Sequence, residues 1–163
     1  MPHVTIEYVI MVPVLLLQIF LYPLTASWLM NIWVDSRRTL VLQETGSHLG
    51  SVIQQIYFSL NHETISAGTV IQKPEVPPFI ENSPYTGNAT LRTVPGGSSN
   101  SSKVLEITLR LNAIGTEVKN SVVLGQNVEW QESTFISNST NAGILATKFW
   151  DGLQYVIRLS FNG

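Results

Sequence analysis

An uncharged apolar run near the N-terminus constrains this chain more than any other feature. The run covers residues 8–34 and contains no Asp, Glu, Lys or Arg. As a helix it would reach about 40 Å at about 1.5 Å per residue, whereas the hydrocarbon core of a bilayer is about 30 Å thick. A helix in a globular core is rarely this long or this apolar on all sides. The run therefore predicts a membrane-length helix.

The flanks of this run indicate that it is retained. Trp28, Trp33 and Tyr22 suit the interfacial belt of a membrane. A cleaved secretory signal would have a basic start, a shorter apolar stretch and a small-residue cleavage site. Neither Lys nor Arg precedes the run. We therefore expect an anchor rather than a removed signal.

A helical pattern continues beyond the apolar run. Apolar or small residues recur at steps of three and four, which marks one face of an α-helix. These residues are Leu42, Gly46, Leu49, Val52, Ile53, Ile56, Tyr57 and Leu60. Gly46 and Gly50 each cost about 1 kcal/mol of helix propensity relative to Ala, so they indicate either close helix packing or a local kink. We expect residues 1–60 to form one long helical segment.

The composition changes after residue 60. Ser, Thr and Asn supply nearly a third of residues 61–163. Apolar and polar residues alternate with the period of half-buried strands, and the predicted strands are 103–111, 116–124, 128–130, 135–136, 144–150 and 153–161. Asp151-Gly152 predicts a tight type I′ turn between the last two. The expected fold class is α+β, with a long N-terminal helix followed by an antiparallel β-sandwich-like domain at 61–163.

Two stretches of this second part predict irregular connections. Residues 73–84 are proline-rich and predict an extended connection, and residues 96–102 predict a flexible loop.

Three Asn-x-Ser/Thr sequons make glycosylation a further expectation, because an exposed loop is what an acceptor needs. Their acceptor residues are Asn88, Asn100 and Asn138.

Patterns of catalysis and metal binding are missing from the sequence. The chain has no Cys and three His, and His48 and His62 have no carboxylate pair placed to complete a metal site. No serine elbow, phosphate-binding loop or dinucleotide fingerprint occurs. Nine Lys and Arg with a net charge of -2 argue against a nucleic-acid partner. We expect no enzyme activity, no cofactor and no metal.

Glu7 stands at the head of the apolar run. An ionised side chain in hydrocarbon costs several kcal/mol, so it indicates a partner or a function. The positive end of the helix dipole would offset part of that cost. The alternative is that Glu7 lies in water at the membrane interface.

Residues 4–24 resemble the N-terminal segment of the type IV pilin superfamily. Thr5-Ile6-Glu7-Tyr8 before an apolar run resembles the small pilins of the tight-adherence branch. Glu7, Pro13 and the leucines at 15–17 resemble the pseudopilins of that system. The long helix and the cysteine-free, Ser/Thr-rich β-domain are similar to archaeal flagellins, and most of all to archaeal adhesion pilins.

The resemblance implies a function and a set of assembly residues. Pilins are cut from a basic leader by a membrane peptidase, leave the cytoplasmic membrane through assembly machinery and join a helical polymer of identical subunits. The apolar helices form the filament core, and the β-domains face outward for adhesion. The residues that this assigns to assembly are Glu7, Pro13, Val14, Leu17, Leu21 and Pro23. Glu7 would pair with the N-terminal amine of a neighbouring subunit, and the two prolines would loosen the helix.

The distribution of basic residues leaves alternatives open. Arg37 and Arg38 follow the run and no Lys or Arg precedes it, so the positive-inside bias would place the β-domain in the cytoplasm. A basic leader, removed after insertion, would restore the opposite bias. Besides the filament subunit, a monomeric single-span protein with a β-domain that binds a partner, or a minor pseudopilin, fits the same sequence.

Overall fold

The computed structural model describes residues 3–94 and 102–163, and the side chains of residues 8–94 and 102–163. One helix precedes all the strands in these residues. The helix α1 spans His3–Leu60, and the strands are β1 Gly68–Gln72, β2 Tyr85–Val94, β3 Ser102–Leu111, β4 Glu117–Leu124, β5 Val128–Trp130, β6 Thr134–Ile136, β7 Gly143–Trp150 and β8 Tyr155–Asn162.

The contacts within the chain define two compact units, residues 1–37 and residues 38–163. The first unit is the apolar part of α1, which stays helical through Pro13 and Pro23. Proline has no amide hydrogen, so each removes one backbone hydrogen bond. Near Pro23, the Thr25 hydroxyl donates to the carbonyl oxygens of Leu21 at 2.9 Å and Tyr22 at 3.0 Å.

The second unit contains the remainder of α1 and two four-stranded sheets. The strand orders are β1-β7-β8-β5 and β4-β3-β2-β6. Neighbouring strands are antiparallel except β5 and β8, which are parallel. The predicted α+β class, a long N-terminal helix followed by antiparallel-rich sheets, is confirmed.

One hydrophobic core joins α1 to both sheets within residues 38–163. The predicted face of the helix is buried from Leu42 to Leu60, and Leu42, Leu49 and Ile53 are fully inaccessible. Leu105, Ile107, Leu109 and Leu111 of β3 face it, and Ile144, Ala146, Leu159 and Phe161 supply the part from β7 and β8. The helix residues spaced by three and four thus pack in one core with the strand residues spaced by two.

The predicted strands from residue 102 to residue 162 are confirmed within two residues at each end. The predicted type I′ turn at Asp151-Gly152 is wrong. Trp150 pairs with Tyr155, so the loop has four residues, and Asp151 does not have a positive φ. The Asp151 carboxylate instead accepts hydrogen bonds from the backbone N–H groups of Leu153 at 2.8 Å and Gln154 at 2.9 Å, which stabilises the longer loop.

A tight two-residue turn does occur, inside the segment predicted as an extended connection. Glu81 and Asn82 both have positive φ, 46° and 65°, and the backbones of Ile80 and Ser83 exchange two hydrogen bonds around them. The turn places the Glu81 carboxylate 2.6 Å from the Arg38 guanidinium of α1. This ion pair fixes the connection to the first turn of the helix in the second unit.

Candidate functional site

The main candidate surface is the apolar part of α1. Every large apolar side chain from Tyr8 to Trp33 that the structure describes is exposed, by 46% to 69%. The helix is long enough and apolar enough to cross a membrane, with a mean hydropathy of 2.1 in its most apolar window and none of that window buried. Because water strongly disfavours so large a continuous apolar surface, lipid or other protein must cover it.

The predicted assembly residues lie along this surface. Val14, Leu17 and Leu21 follow one another at steps of three and four, so they share one stripe of the helix, and each is about half exposed. Pro13 and Pro23 are exposed as well. Glu7 belongs to the helix, but its side chain lies outside the described residues, and its assigned role stays a prediction.

The end of the apolar run carries aromatic and basic groups. The Arg37 guanidinium lies 5.7 Å from the ring centroid of Trp33, in a cation–π arrangement. Trp28 and Trp33 are both at least 60% exposed. An amphipathic aromatic ring beside a cation is a combination that membrane interfaces favour.

Gly46 and Gly50 lie where α1 meets the sheet β4-β3-β2-β6. Both are buried. A Cβ on Gly50 would lie 2.7 Å from Cγ2 of Val122, and a Cβ on Gly46 would overlap the side-chain amide of Asn120. That amide donates a hydrogen bond of 3.2 Å to the Gln43 carbonyl oxygen. At these two positions the helix therefore approaches β4 more closely than a residue with a side chain allows.

The sequon residues occupy different local structures. Asn88 lies in the middle of β2, paired with Thr108 on one side and Thr134 on the other. Asn138 lies in the turn after β6, and both asparagines are exposed. Asn100 lies outside the described residues. Glycosylation at any of the three remains a prediction.

A shallow cavity of about 600 Å³ lies between α1 and the segment around Val76. Glu44, His48 and Glu75 line it. In the described part of the chain, no hydrogen bond or ion pair joins these three groups, and no set of three His, Asp or Glu side chains is placed to hold a metal. The cavity thus offers a weakly polar surface without an assembled acid–base or metal-binding group.

The outer face of β2, β3 and β4 carries a small charge network. Glu106 lies 3.1 Å from the Lys119 ammonium and 3.3 Å from the Arg92 guanidinium. The hydrogen bond from Lys119, together with the charge of Arg92, lowers the pKa of the Glu106 carboxyl below its usual value. The sequence pattern did not single out these residues, because charges on alternate strand positions indicate only a solvent-facing side.

No family model, curated protein or solved structure matches this chain. What is established is therefore the architecture: a long N-terminal apolar helix followed by a β-sheet domain. That layout is compatible with a pilin and with a protein anchored by one transmembrane helix.

Proposed function

We propose that this chain is the structural subunit of an extracellular type IV pilus-like filament. It polymerises with identical copies through its N-terminal helix and carries residues 61–163 outward for adhesion. Before assembly it is held in the cytoplasmic membrane, and a pilin peptidase and assembly machinery act on it. The observation that carries this proposal is the exposed apolar surface from Tyr8 to Trp33.

The contrast between the two parts of α1 supports the proposal. Residues 42–60 have one buried face, and the sheets of the same chain cover it. Residues 8–33 are apolar on every side, and none of the other described residues buries them. A helix that is apolar all round needs an apolar environment all round. A bilayer supplies that environment first, and a bundle of identical helices supplies it in a filament.

The backbone of the helix is suited to both environments. An α-helix satisfies its N–H and C=O groups internally, so it can leave lipid for protein without exposing new polar groups. Only the partners of its side chains change. The resemblance of residues 4–24 to pilins provides further support, since it includes Glu7 and Pro13 in addition to the apolar run.

A second candidate is a monomeric, single-span membrane protein whose β-domain binds a partner. The Arg37–Trp33 pair favours it, because aromatic and basic groups at one end of an apolar run suit a bilayer interface. In this case the surface from Tyr8 to Trp33 would remain in lipid, and the chain would never leave the membrane.

The two candidate functions predict different effects when the shape of an apolar side chain on the helix is changed. Lipid accepts any apolar side chain of suitable length, whereas helices packed in a filament require complementary surfaces. The test compares Leu17→Trp and Leu21→Trp with the milder Leu17→Ile. Appendages are sheared from cells, imaged by electron microscopy and identified by mass spectrometry of the main band, and the membrane fraction is assayed in parallel.

A filament subunit gives filaments containing this chain in the wild type and Leu17→Ile. The two Trp variants lose about tenfold in filament yield, the factor that about 1.4 kcal/mol of contact energy gives, with unchanged membrane insertion. Glu7→Gln should lower the yield as well, since it removes the charge and keeps the volume. Detection of the wild-type chain in membranes alone, never in sheared filaments, would refute the proposal in favour of the anchored monomer.

A further inference from the structure

β1 is an edge strand of its sheet. In the sheet β1-β7-β8-β5, β1 pairs with β7 on one side, and the described residues place no strand on its other side. Residues 68–71 of β1 are exposed, with Ile71 at 63% and Val70 at 42%. The strand reads GTVIQ and contains neither charge nor proline. Edge strands are normally protected by one of these devices, because their free N–H and C=O groups can pair with another strand.

The other three edges are short or covered. At β4, the side chains of Asn120 and Gln54 link the strand to α1, through hydrogen bonds to Gln43 and Val123. β5 and β6 have three residues each. At β5, the Lys103 ammonium also donates a hydrogen bond of 2.7 Å to the carbonyl oxygen of Val128. In the part of the chain that the structure describes, β1 is thus the edge strand of more than three residues that has no such contact.

We propose that β1 pairs with β1 of a second copy of this chain, antiparallel and centred on Val70. In this register Val70 lies opposite Val70, and Gly68 lies opposite Gln72. The pairing brings no like charges together, since β1 has none, and it joins two four-stranded sheets into one. The outward N–H groups of β1 belong to alternate residues, either 68, 70 and 72 or 69 and 71. A centre at Val70 pairs either set with the same set of the second copy, which gives about four to six new backbone hydrogen bonds.

The size of this contact determines where it acts. Two paired strands of five residues bury well below the about 1,000 Å² that a stable protein interface needs. One contact would therefore not hold two free chains together. A filament repeats the contact along its length, and the repetition raises the combined affinity by orders of magnitude. The partner is thus a neighbouring filament, and the consequence is lateral bundling, which rests on the proposed function.

A cysteine substitution tests the contact itself. The chain has no native Cys, so in full-length Val70→Cys the new thiol is the single possible cross-linking site. Residues directly opposite in an antiparallel pair have Cβ atoms about 4.5–5.5 Å apart, within reach of a short bifunctional thiol reagent. Val123→Cys on β4 is the matched control, because Val123 is more exposed, at 56%, yet lies on a protected edge. Covalent dimers on intact cells should form with Val70→Cys and not with Val123→Cys.

Charge substitutions test the register and its consequence. Val70→Lys and Val70→Glu each place like charges directly opposite across the contact, which is destabilising in a sheet. Wild-type filaments should lie in bundles under the electron microscope, and filaments of either variant should lie singly in unchanged number. Mixing V70K filaments with V70E filaments should restore bundles, since opposite charges then meet. Val123→Lys should bundle like the wild type, and thermal unfolding of each variant checks that the sheet remains folded.

The outcomes separate this inference from the function on which it rests. Equal cross-linking at residues 70 and 123, or V70K filaments that bundle like the wild type, overturns the β1 pairing and leaves the filament intact. Failure of the V70K and V70E mixture to bundle overturns the register centred on Val70. Covalent Val70→Cys dimers on cells that carry no filaments would support the β1 contact between two copies, and would refute both the filament subunit and the bundling.

Discussion

The close approach of α1 to β4 makes a quantitative prediction for Gly50→Ala. The new methyl group would lie 2.7 Å from Cγ2 of Val122, well inside van der Waals contact. Val122 is buried and β-branched, so its side chain has little freedom to move aside. Such overpacking costs about 1–3 kcal/mol. The gain in helix propensity from Gly to Ala returns about 1 kcal/mol, so the net loss of stability should be about 0–2 kcal/mol.

Gly46→Ala is the matched comparison. Its new methyl group would meet the side-chain amide of Asn120, which can rotate away at the loss of its hydrogen bond to the Gln43 carbonyl. That loss costs about 0.5–1.5 kcal/mol, and the gain in helix propensity offsets most of it. We therefore expect Gly46→Ala to leave stability nearly unchanged and Gly50→Ala to be the less stable of the two.

Urea unfolding of the detergent-solubilised full chain, followed by tryptophan fluorescence, measures both changes. Val122→Ala combined with Gly50→Ala should recover part of the loss, because the clashing methyl group is then absent. The coupling energy between the two sites should be about 1 kcal/mol or more, as for other residues in contact. If Gly50→Ala instead stabilised the protein by the full propensity gain, Gly50 would have no packing role and the reasoning would fail.

Three further predictions concern the second unit. Lys148 is buried and donates to the carbonyls of His62 and Ile65 at 3.0 Å and 2.8 Å. Lys148→Met should cost about 1–3 kcal/mol in the same urea assay, because it leaves the Ile65 carbonyl unpaired, whereas the His62 carbonyl keeps its bond from the Ile65 N–H at 3.2 Å. Arg38→Ala breaks a partly exposed ion pair and should cost at most about 1 kcal/mol, with a smaller effect at high salt. The contacts that lower the pKa of Glu106 stabilise the folded chain. This stabilisation is present above the usual carboxyl pKa near 4.5 and is lost as the pH falls through the lowered pKa. Glu106→Gln should flatten this part of a profile of melting temperature against pH, and an unaltered profile would contradict the prediction.

The helix and the later strands were predictable because their patterns are hydrophobic. Leu42 to Leu60 repeats at three and four residues, and β3 and β8 alternate with large apolar side chains. β2 was missed because two of its three buried positions are small residues, and Tyr85 alone is a large buried side chain. Gly87 and Ala89 carry no hydrophobic signal, and the space at Gly87 is filled by Leu109 and Phe135 from the neighbouring strands.

The exposed strand β1 was missed for a different reason. Its residues bury almost nothing, so no alternation marks it, and only its pairing with β7 makes it a strand. The turns show a similar limit. Asp151-Gly152 reads as a tight turn, but the Asp151 side chain stabilises a longer loop, whereas Glu81 and Asn82 form a tight turn without glycine. The apolar helical surface followed directly from the sequence, and the approach of Gly50 to β4 required the structure.

The pairing of β1 with β7 also sets the order in which the chain can fold. Gly68 of β1 lies opposite Lys148 of β7, and among the described strands β5 pairs with β8 alone. The sheet β1-β7-β8-β5 therefore cannot begin to pair until β7 at residues 143–150 has been made, and β5 has its partner only once β8 at residues 155–162 follows. Contacts of such large sequence separation form slowly, because the chain must close long loops first. We therefore expect the sheet β1-β7-β8-β5 to form after β2, β3 and β4, which pair with strands next to them in the chain.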